Sequence, residues 1–377
     1  MNADKRRSAQ RVVLHRVLIP YASICVYLWL ILLSSCGSKP TDLRTLVPAD
    51  TLVYLETNDL GDALEPALDK ASQDVKTPKP DLSSLNGIQL AIAVTNIVTS
   101  EQKVSDEQSI GQVQPKFVAV ADTHAWHFQA VRFAEEKLGA FVEKVYGSKP
   151  TLEEPERNGG RDMTWTAADG RKAYAFVVGS VVYFSNDRES LDKALTVRSG
   201  AASLASTGKV QPTSPDALAS GYASTQGIAQ IADIAGLKTA ASAGDDAQVQ
   251  AAVAAILPQL VREMVTDVTW TEKRTNGGVA DTYQIKMPDN VVAALKDTQP
   301  GDLGDRLKNT VVALLAGSKL DDKTRGQVAE AIVASVKPGD NAQTSFTASG
   351  MERVTSSDAG LVGMIFAAFS TASSPPA

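Results

Sequence analysis

The chain has 377 residues, of which 44% are hydrophobic and 21% are charged, and its formal net charge is −6. This composition excludes an intrinsically disordered chain, and the length suffices for two domains or one large one. An acidic chain offers no general basic surface, so nucleic acid is excluded as a partner.

The N-terminus combines a basic stretch with a long uncharged one. Five basic residues and one acid precede Val17, and no charged residue occurs between Val17 and Leu33. This is the layout of an export signal, with a basic n-region before an apolar h-region. The uncharged stretch has 17 residues, slightly more than a usual h-region and slightly fewer than a comfortable membrane span. Its length therefore leaves cleavage and membrane anchoring both open.

The segment "LSSC" follows the apolar stretch, and it resembles the lipobox of bacterial lipoprotein signal peptides. Leu33, Ser34 and Ser35 match the residues that the signal peptidase recognises, and Cys36 matches the cysteine whose thiol accepts diacylglycerol. The resemblance implies a removed signal peptide over residues 1–35 and a lipid anchor in the cell envelope at Cys36. An uncleaved signal anchor is the alternative.

Processing at Cys36 changes the composition of the mature chain. Cys25 is lost with the signal peptide, so no free thiol and no disulfide remain. The mature chain then has 32 basic and 42 acidic residues. Because Gly37 is not the aspartate that marks inner-membrane retention, the outer membrane facing the periplasm is favoured if the source has two membranes.

The first predicted unit covers residues 50–197, after a lipidated tether over 36–49. It begins with a strand at Thr51–Thr57 and a helix that we expect Pro66 to kink or split. A long helix over about 125–146 ends at Gly147. Its apolar face carries Val131, Ala134, Leu138, Phe141, Val142 and Val145. The segment 161–195 has β-rich runs separated by Asp169-Gly170 and Gly179-Ser180, which predicts a three-stranded meander followed by a capped helix.

A second unit is predicted over residues 215–369, with a helical C-terminal part, after a linker at 198–214 and before a loose tail at 370–377. Two matches suggest a duplication: Tyr54 in "YLETNDL" with Tyr222 in "YASTQGI", and "MTWT" with "VTWT". The predicted fold class is α+β, with antiparallel sheets, flanking helices and two degenerate copies of one β-meander-plus-helix unit.

Two motifs resemble a domain-of-unknown-function family of bacterial envelope proteins. The first is "P-A-D-T-x-x-Y" at Pro48–Tyr54, and the second is the block "YAFVVGSVVYFSNDRESLDKAL" that begins at Tyr174. That family has no established activity. The resemblance therefore implies an envelope location and an α+β architecture, and it implies no chemistry.

The sequence contains no recognisable catalytic, metal or cofactor motif. His124 and His127 lie near Asp122 in the only arrangement that could hold a metal, but no H-E-x-x-H pattern accompanies them. We interpret this stretch as a polar helix start with Trp126 against the core. No G-x-S-x-G elbow or phosphate-binding glycine loop occurs, so we assign no catalytic residue, no metal and no cofactor.

Trp165 and Trp270 each lie between threonines on a predicted strand. Core packing is the favoured interpretation, and a concave apolar surface that binds lipid is the alternative. The sequence thus predicts a non-enzymatic envelope lipoprotein with a binding or structural role. A carrier or sensor of an apolar ligand in a cleft of the sheet is the second hypothesis, and an unrecognised hydrolase is the third. The expected partners are the membrane, through the N-terminal lipid, and other envelope proteins or a lipid.

Overall fold

The computed structural model describes residues 41–75, 81–103, 109–157, 159–242, 246–295, 302–336 and 342–365. The described residues from Asp42 onward form one compact unit. A large antiparallel sheet with flanking helices makes this unit α+β, which confirms the predicted fold class. Within the described ranges, no helix is both long enough and apolar enough to cross a membrane.

Thirteen strands in the described part of the chain form one sheet, and every pairing is antiparallel. The strands are β1 (Val53–Thr57), β2 (Gln89–Lys103), β3 (Ser109–Asp122), β4 (Thr151–Glu153), β5 (Glu156–Arg157), β6 (Gly160–Thr166), β7 (Lys172–Val178), β8 (Val181–Ser185), β9 (Ala219–Ala223), β10 (Asp267–Thr275), β11 (Gly278–Lys286), β12 (Ala342–Thr347) and β13 (Gly350–Ser357). Their order across the sheet is β12-β13-β11-β10-β9-β1-β2-β3-β8-β7-β6-β4, and β5 also pairs with β6.

Helices cover parts of both faces of this sheet. They are α1 (Leu60–Val75), α2 (His127–Phe133), α3 (Gly139–Tyr146), α4 (Arg188–Arg198), α5 (Thr225–Ser242), α6 (Ala247–Met264), α7 (Asp289–Leu295), α8 (Leu303–Leu314) and α9 (Asp322–Val336). A π-helical turn, Ala134–Leu138, joins α2 to α3, and 3-10 turns occur at Leu43–Leu46, Ser83–Leu85 and Ala205–Thr207. A last helix begins at Gly360.

Proline does not interrupt the two helices in which it occurs. The predicted split of α1 at Pro66 does not occur, because α1 runs as one helix from Leu60 to Val75. Pro66 has no N–H to offer the carbonyl of Asp62, and the guanidinium of Arg274 donates to that oxygen instead, at 3.3 Å. Pro258 likewise lies inside one continuous helix, α6.

The predicted meander is confirmed, since β6 pairs with β7 and β7 pairs with β8. Gly170 and Gly179 both have a positive φ in the connecting turns, a backbone conformation that glycine adopts without strain. Asp187 caps α4 by accepting a hydrogen bond from the backbone N–H of Ser190 at 2.9 Å.

The two halves of the sheet meet where β1 pairs with β9, and there Tyr54 lies opposite Tyr222. Outward from β1 the order is β2, β3, β8, β7, β6 and β4, and outward from β9 it is β10, β11, β13 and β12. The two halves differ in strand number, but each has an antiparallel pair next to the central strands, β2–β3 or β10–β11, and this shared part agrees with a duplicated unit. The "TWT" match does not belong to it, because Trp165 lies on the outer strand β6 and Trp270 lies on β10, next to the centre.

Both faces of the first half are packed. On one face Tyr54 and Tyr183 contact a cluster that includes Leu191 of α4. Leu204 and Val210 belong to the same cluster and are buried. Both come from the segment 198–214 predicted as a linker, so this segment packs into the core between the halves. The opposite face packs against α2 and α3. In the second half, α5, α6, α8 and α9 form a helical cluster of their own. The compact unit therefore contains complete hydrophobic cores.

Candidate functional site

The predicted processing residues lie outside the described part of the chain. These residues are Leu33, Ser34, Ser35 and Cys36. Lipidation and cleavage remain predictions from the sequence.

Trp165 and Trp270 are both buried, with 2% and 5% of their surfaces exposed. Trp165 packs near Phe184, with ring centroids 6.4 Å apart. Trp270 belongs to another cluster and donates its indole N–H to Oδ1 of Asp281 at 2.8 Å. The two indoles therefore do not form one concave surface. Their positions agree with the favoured interpretation as core residues.

His124 and His127 have different neighbours. Nδ1 of His124 lies 3.5 Å from the Asp122 carboxylate, whereas Nδ1 of His127 lies 3.3 Å from the carbonyl oxygen of Gly179. No group of three or more His, Cys, Asp or Glu residues that could hold a metal occurs in the described segments. Trp126 is 64% exposed, so its predicted packing against the core is wrong. Trp126 occupies the N-cap position of α2, where the backbone is extended. Ala130 is the residue of α2 that is buried against the core.

A cleft of about 460 Å³ lies between α3 and the sheet, beside β3, β7 and β8. We call it the aromatic cleft. Its described lining is Gln114, Pro115, Lys116, Phe117, Phe141, Val142, Val145, Tyr146, Arg171, Lys172, Ala173, Phe184 and Asn186. Most of the exposed lining is apolar, and the volume lies within the range of about 300–1,000 Å³ that is typical of small-ligand pockets.

Phe184 forms the centre of the cleft floor. The ring centroid of Phe117 lies 6.3 Å from that of Phe184, and the ring of Phe141 packs edge-on against Phe184 at 6.0 Å. Phe141 is nevertheless 46% exposed and Val145 is 39% exposed. Apolar side chains on α3 thus remain partly open to water above an aromatic floor.

The π-helical turn sets which side of α3 faces the sheet. The backbone N–H of Gly139 donates to the carbonyl of Ala134, five residues earlier, so the turn contains one residue more than an α-helical turn. Gly139 also lies close to Trp165, and a side chain there would come within 3.4 Å of the indole nitrogen. Val142 is 1% exposed as a result, and Phe141 and Val145 lie along the cleft.

Arg171 and Lys172 are exposed and therefore lie at the mouth, whereas the side chain of Lys116 is 24% exposed. Arg171 donates from Nε to Oδ2 of Asp169 at 2.7 Å and from Nη2 to the carbonyl of Tyr146 at 3.1 Å. Its Cζ lies 4.5 Å above the ring of Tyr146, in a cation–π contact. Burial raises the pKa of the Tyr146 hydroxyl. The mouth thus has an aromatic wall with a fixed cation against it.

A larger cleft of about 540 Å³ lies on the second half of the sheet, near residues 209–214. Side chains such as Ser220, Thr269, Thr282 and Gln284 contribute much of its lining. About half of its exposed lining is polar, whereas the exposed lining of the aromatic cleft is mostly apolar and suits an apolar molecule better. We therefore take the aromatic cleft as the candidate site.

Sequence reasoning missed the aromatic cleft, although part of the signal was present. Phe141 and Val145 lie on the predicted apolar face of the long helix, and Phe184 lies in the predicted meander. The sequence pattern assigns these residues to a core. Only the packing of α3 on the sheet shows that Phe141 and Val145 are incompletely covered.

A buried carboxyl pair was also missed. Glu272 on β10 and Asp281 on β11 are directly opposite each other and are 0% and 1% exposed. Burial and the neighbouring Asp281 raise the pKa of Glu272 to about 8. The hydrogen bond from the backbone N–H of Val362 acts in the opposite direction and only partly offsets this rise. Glu272 follows the buried Trp270 by two residues on a strand, so alternation could have indicated its inward position.

No protein-family model matches this chain. No curated protein matches it either. Among solved structures, the chain is similar to one titled "Structure of crystal form I of TP0453", at 8% sequence identity and a TM-score of 0.36. The alignment covers 89% of this chain and 99% of that chain. A likeness of this degree carries no argument about function, so the site stands on its own geometry.

Proposed function

We propose that this protein is an exported bacterial envelope lipoprotein, tethered through Cys36, that binds an apolar ligand in the aromatic cleft without chemical conversion. The cleft, with Phe117 and Phe184 in its floor and Phe141 of α3 above them, is the observation that carries the binding role. The order of basic segment, apolar segment and lipobox supports the tether.

Hydrophobic burial would drive such binding. Covering a phenylalanine or valine side chain contributes about 1.5–3 kcal/mol when the side chain goes from fully exposed to fully buried. Phe141 and Val145 are each partly exposed, so a ligand that covers both gains a fraction of that free energy from each side chain. The rings beneath them are already in place, which limits the cost of ordering side chains on binding.

The other hypotheses have weaker support. A purely structural role gives no reason for partly exposed Phe141 and Val145 above an aromatic floor. A hydrolase would need a base beside a nucleophile, and the described neighbours of His124 and His127 are a carboxylate and a backbone carbonyl. A ligand-binding protein is therefore the function that this geometry supports best.

The test compares two exposed phenylalanines on the same helical segment. Phe141→Ser removes a side chain that lines the cleft, and we expect it to weaken binding of a sixteen-carbon alcohol or fatty acid by about tenfold. Binding is measured by displacement of the neutral dye Nile red from the protein lacking residues 1–36, which retains the whole compact unit.

Phe128→Ser is the matched control, because Phe128 is 68% exposed and does not line the cleft. We expect this variant to bind as the unchanged protein does. Equal binding by both variants, or no binding of either compound to the unchanged protein, would refute the binding role.

A further inference from the structure

The charges of the aromatic cleft have one sign. Its described lining includes Lys116 on β3, Arg171 in the turn before β7 and Lys172 at the start of β7. None of the other described lining residues is acidic. This differs from the protein as a whole, whose formal net charge is −6. A basic mouth on an acidic protein attracts anions by a local field that the net charge does not predict.

Arg171 is held in place and retains donors for a ligand. Its contacts with Asp169 and the carbonyl of Tyr146 use two of the five N–H groups of a guanidinium. The contact with the Tyr146 ring fixes the plane of the guanidinium further. A guanidinium fixed in this way can bind a carboxylate or phosphate with a small loss of side-chain entropy.

The two lysines are available to different degrees. Lys172 is exposed and has no ion pair with a residue that the structure describes. Nζ of Lys116 lies 3.7 Å from Oδ1 of Asp187, a long contact in which both side chains are about one quarter exposed. Lys172 therefore offers an ammonium group at the mouth of the cleft without an ion pair among the described residues, and Lys116 offers one that is only loosely paired.

We propose that the ligand is a single-chain amphiphile whose anionic end group, a carboxylate or a phosphate, is bound by Lys116, Arg171 and Lys172. Its hydrocarbon chain lies along Phe117, Phe141 and Phe184. The volume of about 460 Å³ is near the lower end of the range for small-ligand pockets, which favours one chain over two. This inference rests on the proposed binding function.

Three compounds that share a sixteen-carbon chain distinguish the contribution of the end group to binding from that of the hydrocarbon chain. They are hexadecanoate, hexadecyl phosphate and hexadecanol. Each displaces Nile red from the protein lacking residues 1–36 at pH 7.5 and low ionic strength. We expect at least one anion to bind about tenfold more tightly than the alcohol. That advantage should decrease as salt is added, because salt screens exposed charges.

The double variant Lys116→Gln/Lys172→Gln tests the residues. We expect it to weaken binding of the preferred anion by about tenfold and to leave binding of hexadecanol unchanged. Lys144→Gln/Lys149→Gln is the matched control, because both lysines are exposed and neither lines the cleft. It should bind all three compounds as the unchanged protein does.

The outcomes separate this inference from the function on which it rests. Hexadecanol that binds as tightly as both anions would overturn the anionic end group and leave the apolar cleft intact. An equal loss of anion and alcohol binding in the lysine variant would overturn it too, because the lysines would then affect binding of the hydrocarbon chain and not of the anionic end group. If none of the compounds binds, the proposed function itself fails. A gain for one anion alone supports the inference and identifies the end group.

Discussion

Glu272 is a buried acid that the fold keeps protonated near neutral pH. Its side chain reaches from β10 to the start of the last helix, where Oε2 accepts the N–H of Val362 at 3.1 Å and Oε1 has no hydrogen-bond partner among the described residues. Gly360, with φ +64°, leaves room for the carboxyl group. A charge there would be desolvated and would lie beside Asp281, so the neutral acid is favoured.

This shifted pKa predicts that stability falls as pH rises. The folded-state pKa of Glu272 is about 8 and its ordinary value is 4.5. Between these values the native state holds a proton that the unfolded chain releases. The free energy of unfolding should therefore decrease from about pH 4.5 to 8, by up to about 1.4 kcal/mol per pH unit. Urea unfolding at a series of pH values measures this slope.

Glu272→Gln should flatten the slope, because the amide has the shape of the protonated acid and does not titrate. Its carbonyl can still accept the N–H of Val362. Glu143→Gln, at an exposed position on α3, is the control and should keep the slope of the unchanged protein. A pH profile that Glu272→Gln leaves unaltered would disprove the assignment.

At the scale of elements, the π-helical turn between α2 and α3 decides the shape of the cleft. One extra residue in the turn changes the direction of every side chain after it by about 100°. The hydrophobic pattern predicts one helix over 125–146, and it gives no sign that the register changes inside it. The predicted face was correct for Ala134 and Val142, and Phe141 and Val145 are more exposed than it implies.

Deleting Lys137 should turn this segment into a regular helix. Either α2 or α3 must then rotate relative to the sheet, and Ala130 or Val142, which are 0% and 1% exposed, would lose their packing. We expect a loss of about 2–4 kcal/mol in the free energy of unfolding and loss of ligand binding. Lys137→Ala removes the same exposed side chain without changing register, and it should behave as the unchanged protein in both measurements. A deletion variant that retains both properties would contradict this role of the turn.

For the whole molecule, the sheet is continuous through the pairing of β1 with β9, so the halves share a core. Tyr54 and Tyr222 pack in one cluster with Leu204 and Val210, which come from the connection between the halves. Within the compact unit, the aromatic cleft lies in the first half, on α3, β3, β7 and β8.

The proposed tether predicts the distribution of the protein between membrane and soluble fractions. Each buried CH₂ group of an acyl chain contributes about 0.8 kcal/mol, so two or three chains hold a protein stably at a bilayer. Cys36→Ser should move the protein from the membrane pellet to the soluble fraction, measured by fractionation and immunoblotting. Cys25→Ser, in the predicted signal peptide, should leave it in the pellet. If Cys36→Ser remained in the pellet with residues 1–35 still attached, the signal-anchor alternative would replace lipidation.

Local patterns determined a large part of this structure. The meander β6–β8 follows from glycine turns between β-rich runs, and α4 begins where Asp187 can cap it. Both depend on residues that are close in sequence, so the sequence predicts them directly. The same holds for the predicted export signal, since its basic, apolar and small residues are recognised as a linear segment.

The tertiary structure alone decided the pairing of β1 with β9, the burial of Glu272 against Asp281 and the incomplete cover over Phe184. Each of these depends on contacts between residues that are far apart in the chain. A strand pattern does not specify its partner strand, and a hydrophobic face does not reveal whether another element covers it fully. The sequence therefore determined the local elements and the expected cellular location of this protein. The packing of α3 on the sheet created the cleft to which we assign its function.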